Sequence, residues 1–136
     1  MIPEPLRVSL VQAAREAREH AYAGYSGYRV GAAVLTEEGL IFTGANVENA
    51  VYPLGLCAER VAVFKAVSEG YRSFRALAVV TANAGAPCGS CRQVLWEFAP
   101  DALVIVADPQ GHIHWEAPLR ELLPRPFGAA DLTNGR

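Results

Sequence analysis

From residue 40 to residue 107 the chain alternates short apolar runs with helical patterns, and this alternation restricts the fold more than any other feature. Residues 40–45 form one apolar run. Residues 57–68 (CAERVAVFKAVS) space Val61, Phe64 and Val67 three apart, contain no Gly or Pro, and stop before Gly70, a C-terminal cap. Residues 76–81 (ALAVVT) and 103–107 are continuous apolar runs, the pattern of strands covered on both faces. Between those two runs, residues 88–98 read as a further helix after a Gly and Pro loop. Strand, helix, strand, helix, strand implies parallel crossovers with helices flanking a sheet. The class is α/β.

Elements on either side extend that frame. Residues 6–22 place Leu6, Leu10, Val11, Ala14, Ala17 and Ala21 at helical spacing, with Arg15, Glu16, Arg18 and Glu19 mostly opposite, which predicts an amphipathic opening helix. After a loop over residues 23–29, residues 30–36 and 40–45 form a hairpin across Glu37, Glu38 and Gly39. Only DPQG separates residue 107 from His112, too short for a crossover, so residues 112–116 return as an antiparallel edge strand and the sheet is mixed. A last short helix is predicted over residues 118–123, and no element over the Pro, Gly and Ala-rich residues 124–136. With 136 residues and no linker or repeat, residues 1–136 read as one domain.

Composition excludes several functions. Apolar residues make up 51% and charged residues 19%, enough to bury a core. Twelve Lys and Arg against fourteen Asp and Glu, without a basic block, argue against a nucleic acid partner. No stretch approaches the ~20 apolar residues of a membrane span, and residues 1–20 lack the apolar core of a signal peptide. A soluble, cytoplasmic protein is expected. Three cysteines are an odd number for a disulfide scaffold, so reduced thiols with a chemical task are the better reading.

Cys88 and Cys91, in PCGSC, stand where a helix begins, and their spacing sets both sulfurs on one side of its first turn. Alone they fit a metal or a dithiol redox motif about equally. Cys57 also begins a helix after a strand, and neighbouring parallel crossovers bring such helix starts to one sheet edge. A third thiolate then gives a tetrahedral zinc three protein ligands and leaves one position for water, as a catalytic site requires. His20, His112 and His114 are poorly placed as a fourth ligand; the last two read as exposed residues on an edge strand, with no acid beside them. Glu59 lies two residues beyond Cys57. Residues two apart on a helix diverge by roughly 200°, so both serve one site only if Cys57 is the cap. Glu59 then suits general acid/base work.

CAER and PCGSC on strand-to-helix turns resemble the zinc-dependent cytidine deaminases, in their small three-cysteine form. YSGYRVGAAV, GANVENAVYP, CAERVAVFKAVSEG, PCGSCRQVLWEF and ELLPRPFGAADL look like the successive blocks of that family in order, across residues 6–132. The resemblance implies a three-layer α/β/α fold and one zinc per subunit on Cys57, Cys88 and Cys91. It implies Glu59 moving protons while water is added at C4 of a pyrimidine and ammonia departs. It further implies a homotetramer, with Asn46 and Glu48 at the ribose, Tyr28 beside the base, backbone groups of Ala58 on the base, and Phe127 supplied across a subunit contact. Two departures stand out: the family usually has Phe where Tyr28 stands and Pro where Gly24 stands.

Charge arithmetic adds two expectations. Three thiolates leave zinc with a net charge of −1, and Arg60, hydrogen-bonded to a ligating sulfur, offsets it together with two helix N-termini. Arg92 reads as a solvated helix charge. Glu48 repels a 5′-phosphate, which favours a free nucleoside. The reading is hydrolytic deamination of cytidine and deoxycytidine. Its rivals are deaminases of nucleoside antibiotics or of RNA bases, a dithiol oxidoreductase on Cys88 and Cys91, and a zinc-stabilised interaction module without catalysis.

Overall fold

The computed structural model describes residues 2–135. Helix α1 (Glu4–Arg18) precedes a hairpin of β1 (Val30–Thr36) and β2 (Ile41–Ala45), and a 3-10 turn at Tyr52–Leu54 leads to α2 (Ala58–Ser68). There follow β3 (Phe74–Thr81), α3 (Gly89–Phe98), β4 (Leu103–Ala107), β5 (Ile113–Pro118), α4 (Leu119–Leu122) and α5 (Ala129–Asn134). The sheet order is β2-β1-β3-β4-β5. β3 and β4 pair in parallel, while β1 is antiparallel to both its neighbours and β5 is antiparallel to β4. The mixed five-stranded sheet with an antiparallel last strand is the one the sequence implies.

The two parallel crossovers differ in span. The strands flanking α2 point the same way, yet they are not neighbours, because β1 lies between them. β1 pairs with β2 through a tight hairpin, with Gly39 at a φ of 94°, so the α2 crossover passes over β1 to reach β3. The helix starts still gather at one sheet edge, because β2 and β3 share a direction.

Period-two alternation divides the buried strands between two cores. On one face Leu10, Val11 and Ala14 of α1 pack with Ala33, Leu35, Ala78, Val80 and Ile105. On the other, Ala62, Val63 and Ala66 of α2 and Leu95 of α3 pack with Val34, Leu77, Val79, Val104 and Val106. Both faces are covered, which is why β3 and β4 read as unbroken apolar runs. Two glycines let the helices lie close: a Cβ on Gly31 would meet Ala14 O at 2.0 Å, and one on Gly44 would meet Ala58 O and Ala62 N at 2.5 Å.

Boundaries differ from expectation where the chain turns to other partners. α1 stops at Arg18, and Tyr22 instead donates its N–H to Asn46 O at 2.9 Å, joining the strand that leaves β2. α5 was not foreseen in the Pro, Gly and Ala-rich tail. There the Asp131 carboxylate accepts from Gly128 N–H at 2.8 Å and caps a helix that composition hides. Among the described residues, no helix is long and apolar enough to cross a membrane.

Candidate active site

Cys57 and Cys88 are the N-cap residues of α2 and α3, both with extended backbone, and neither thiol caps its own helix. Their sulfurs are therefore free to point off the helix ends. Cys57 Sγ lies 3.9 Å from Cys88 Sγ, and Cys88 Sγ lies 3.5 Å from Cys91 Sγ. All three fall within 4.8 Å of one another. A tetrahedral zinc with bonds of about 2.3 Å holds its sulfurs about 3.8 Å apart, so the donor set fits the ion in chemistry and in spacing. Among the described residues this is the only such cluster, and no histidine joins it.

Electrostatics point the same way. Arg60 Nη2 donates to Cys57 Sγ at 3.3 Å, while Arg60 Nε is buried without a partner, so the sulfur is what orients this guanidinium. Hydrogen bonding from Cys91, aided by Arg60, holds the Cys57 thiol down at about 5, and the same contact pushes Cys91 up. The N-termini of α2 and α3 add positive potential at the sulfurs. Glu59 is 5% exposed and is the only charged side chain buried among the described residues. Burial pushes its carboxyl up to about 6.

These groups open into a cavity of about 510 Å³, the size of a small-molecule site. Tyr28, Asn46, Glu48, Cys57, Glu59, Arg60 and Cys88 all line it. Asn46 and Glu48 also hold the loop before β1. Asn46 accepts from Val30 N–H at 3.0 Å and donates to Tyr28 O at 2.8 Å. Glu48 accepts from the N–H groups of Tyr25 and Ser26 at 3.1 and 2.9 Å and from the Ser26 hydroxyl. Ser26 above all keeps the Glu48 carboxyl below its ordinary value, so it stays ionised.

Other foreseen residues fall elsewhere. Ala58 is fully buried in the first turn of α2, outside the cavity lining. Phe127 is 56% exposed and does not reach this cavity; the Gln93 side chain grips its backbone at both the N–H and the carbonyl. Arg92 is not a solvated charge. It donates to Pro87 O at 2.8 Å and Leu122 O at 3.0 Å, tying the cysteine loop to α4. His112 and His114 do have an acid beside them: His114 Nε2 lies 2.8 Å and His112 Nδ1 3.4 Å from Asp108 Oδ2. His20 is exposed.

Several lining residues were not foreseen, among them Ser26, Tyr52, Leu56, Thr81 and Gly85. Asn83, just outside the lining, was missed as well. An Asn in TANAG signals only a loop, and its partner Tyr28, distant along the chain, is invisible to a one-dimensional reading.

Residues 6–107 match the cytidine and deoxycytidylate deaminase zinc-binding region. The chain is 47% identical to a cytidine deaminase of Sporosarcina psychrophila, over 91% of this chain and 93% of that one. It is 48% identical to a cytidine deaminase of Halalkalibacterium halodurans, over 94% and 98%. The crystal structure of cytidine deaminase from Burkholderia pseudomallei superposes with a TM-score of 0.84 at 45% identity, covering 93% of this chain and all of that one. With three sulfurs at zinc spacing, a buried glutamate beside them and these relatives along nearly its whole length, the chain belongs to the cytidine and deoxycytidylate deaminase family.

Proposed function

We propose that this chain, as a single domain, hydrolyses cytidine and deoxycytidine to uridine and deoxyuridine with release of ammonia. The observation that carries this is the junction, in one cavity lining, of Cys57, Cys88 and the buried Glu59, with the buried Cys91 sulfur completing a trio within 4.8 Å of one another. Held by Cys57, Cys88 and Cys91, zinc supplies a Lewis acid at one end of the cavity. Water adds at C4 of the base, the bond from C4 to the exocyclic nitrogen breaks, and ammonia leaves. Glu59 takes one proton from that water and delivers it to the ring nitrogen, then takes the second from the hydroxyl added at C4 and delivers it to the departing amine, so both protons of the water are used. A carboxyl pushed up to about 6 by burial suits both directions of transfer near neutral pH.

Asn46 and Glu48 are assigned to the ribose, Tyr28 to the base edge and the backbone of Ala58 to the base. The ionised Glu48 disfavours a 5′-phosphate at that end. Four copies assemble in this proposal, each lending Phe127 to a neighbour. Supporting it, Phe127 is exposed, and so are the large side chains of Tyr22, Val51, Tyr52 and Leu54, of which Tyr52 lines the cavity. The enzyme is assigned to the cytoplasm, where thiolates stay reduced.

An absorbance assay with cytidine, run with a zinc measurement before and after chelation, tests the reading. Turnover that falls with zinc content and returns on reloading is expected. Zinc binding without turnover points to an interaction module, and metal-free dithiol exchange to an oxidoreductase; either result discards the proposal. Cytidine and deoxycytidine should react much faster than their monophosphates, and comparable rates would remove the role given to Glu48. Light scattering reads the assembly.

A further inference from the structure

The loop after β3 closes on the Tyr28 hydroxyl. That hydroxyl donates to Asn83 Oδ1 at 2.8 Å, and the Thr81 hydroxyl donates to the same oxygen at 3.3 Å. Thr81 Oγ1 in turn accepts from Gly85 N–H at 2.7 Å. A Cβ on Gly85 would lie 2.5 Å from the Tyr28 hydroxyl oxygen, but at ordinary distances of 3.4 and 3.6 Å from Asn83 Oδ1 and Thr81 Oγ1. A side chain at position 85 therefore forces the phenol oxygen to shift and meets no other obstacle, since Gly85 does not take the positive φ that would itself demand glycine. Tyr28, Thr81 and Gly85 all line the cavity, Thr81 and Gly85 lying seven and three residues before Cys88.

We infer that the Tyr28 hydroxyl, Asn83 and the bare Gly85 act as one positioning unit that fixes the wall of the base pocket. The phenol fills the volume that a side chain at 85 would occupy, and its bond to Asn83 sets the angle of the ring facing the cavity. A phenylalanine at 28 loses that anchor, and an alanine at 85 pushes the ring off it. Each change moves the same wall, so their effects on binding are coupled rather than independent. The inference rests on the deaminase reading of the cavity.

Steady-state kinetics with cytidine test it, with zinc content and circular dichroism as controls. Tyr28→Phe is expected to raise KM about three- to tenfold, the loss of one hydrogen bond, with kcat held within about twofold. Gly85→Ala is expected to raise KM about tenfold or more, and Tyr28→Phe combined with Gly85→Ala to return to the KM of Tyr28→Phe alone, because the obstructing oxygen is gone. Asn83→Ala should match Tyr28→Phe and add nothing to it, which keeps the test decisive if Gly85→Ala does not fold. Multiplying effects in the double variants, a loss in kcat in place of KM, or an unchanged Tyr28→Phe overturns the inference. A wild-type chain that holds zinc and leaves cytidine untouched overturns the deaminase reading instead.

Discussion

On the α1 face of the sheet, Leu10, Val11 and Ala14 close against Ala33, Leu35, Val80 and Ile105, and no ionisable side chain is buried among them. On the α2 and α3 face, Val63 and Leu95 make an equally apolar core that reaches Ala58 at the first turn of α2, and polar groups take over at the helix starts. There Cys57, Cys88 and Glu59 line open volume, with the Cys91 sulfur buried beside them. The two faces obey one rule of burial and differ in what their helices do at their N-termini. A thiol at an N-cap forgoes the side-chain cap that Ser or Asp supplies, a loss of about 0.5–2 kcal/mol at each helix. Residues farther along α2 and α3 hold those ends in place, so the face with the chemistry borrows its rigidity from the core beneath it.

Substitutions on the two faces should separate turnover from stability. Glu59→Gln is expected to cut kcat by about 10²–10⁴ while zinc content and melting temperature hold, read by metal analysis and calorimetry. Loss of zinc in that variant would mean the carboxylate has been given the wrong role. Arg60→Gln should lower activity about 10- to 100-fold, as a lost hydrogen bond to a ligating sulfur does. Adding Cys57→His removes one thiolate charge and should recover part of that loss; steady-state rates without recovery would reject the charge-balance argument.

Across the sheet, Leu10→Ala should remove about 2–5 kcal/mol of stability in denaturant unfolding while kcat/KM of the folded fraction stays within about twofold. A selective fall in turnover would show that the faces are not separable. The smallest effect is expected at Asp108, outside the cavity lining. The hydrogen bond from His114 holds its carboxyl down at about 2, against an ordinary 3.8. A carboxyl lowered in the folded state adds stability above its unfolded value, and that share disappears as pH falls from about 4 through 2. Asp108→Asn should flatten the acid limb of the unfolding curve in that window, because the share of stability it removes is the one present from about pH 4 upward, neutral pH included, while stability near pH 2 and below changes least.

The sequence carried the strands and helices because their periods are local: β3 and β4 as unbroken apolar runs, α2 and α3 as Gly-free stretches ended by cap signals. It carried the sulfurs and Glu59 because each sits at a helix start whose position is itself legible. It did not carry the insertion of β1 between β2 and β3, since pairing partners leave no mark along one strand. Arg92 gave no sign of its contacts either: its partners are the carbonyls of Pro87 and Leu122, and any residue can offer a carbonyl. Asn83 looked like loop filler because its partner, Tyr28, stands 55 positions away. The α5 cap was hidden by a composition that ordinarily marks irregular chain.

The insertion of β1 between β2 and β3 also orders events during folding. Cys88 and Cys91 share one helical turn and can meet early, whereas Cys57 joins them only after the chain has threaded α2 across β1 and zipped β3 alongside it. Such distant pairings form slowly. Tight capture of the ion is thus a late event that seals an assembled scaffold, unlike a zinc finger, whose chain stays unfolded until the metal arrives.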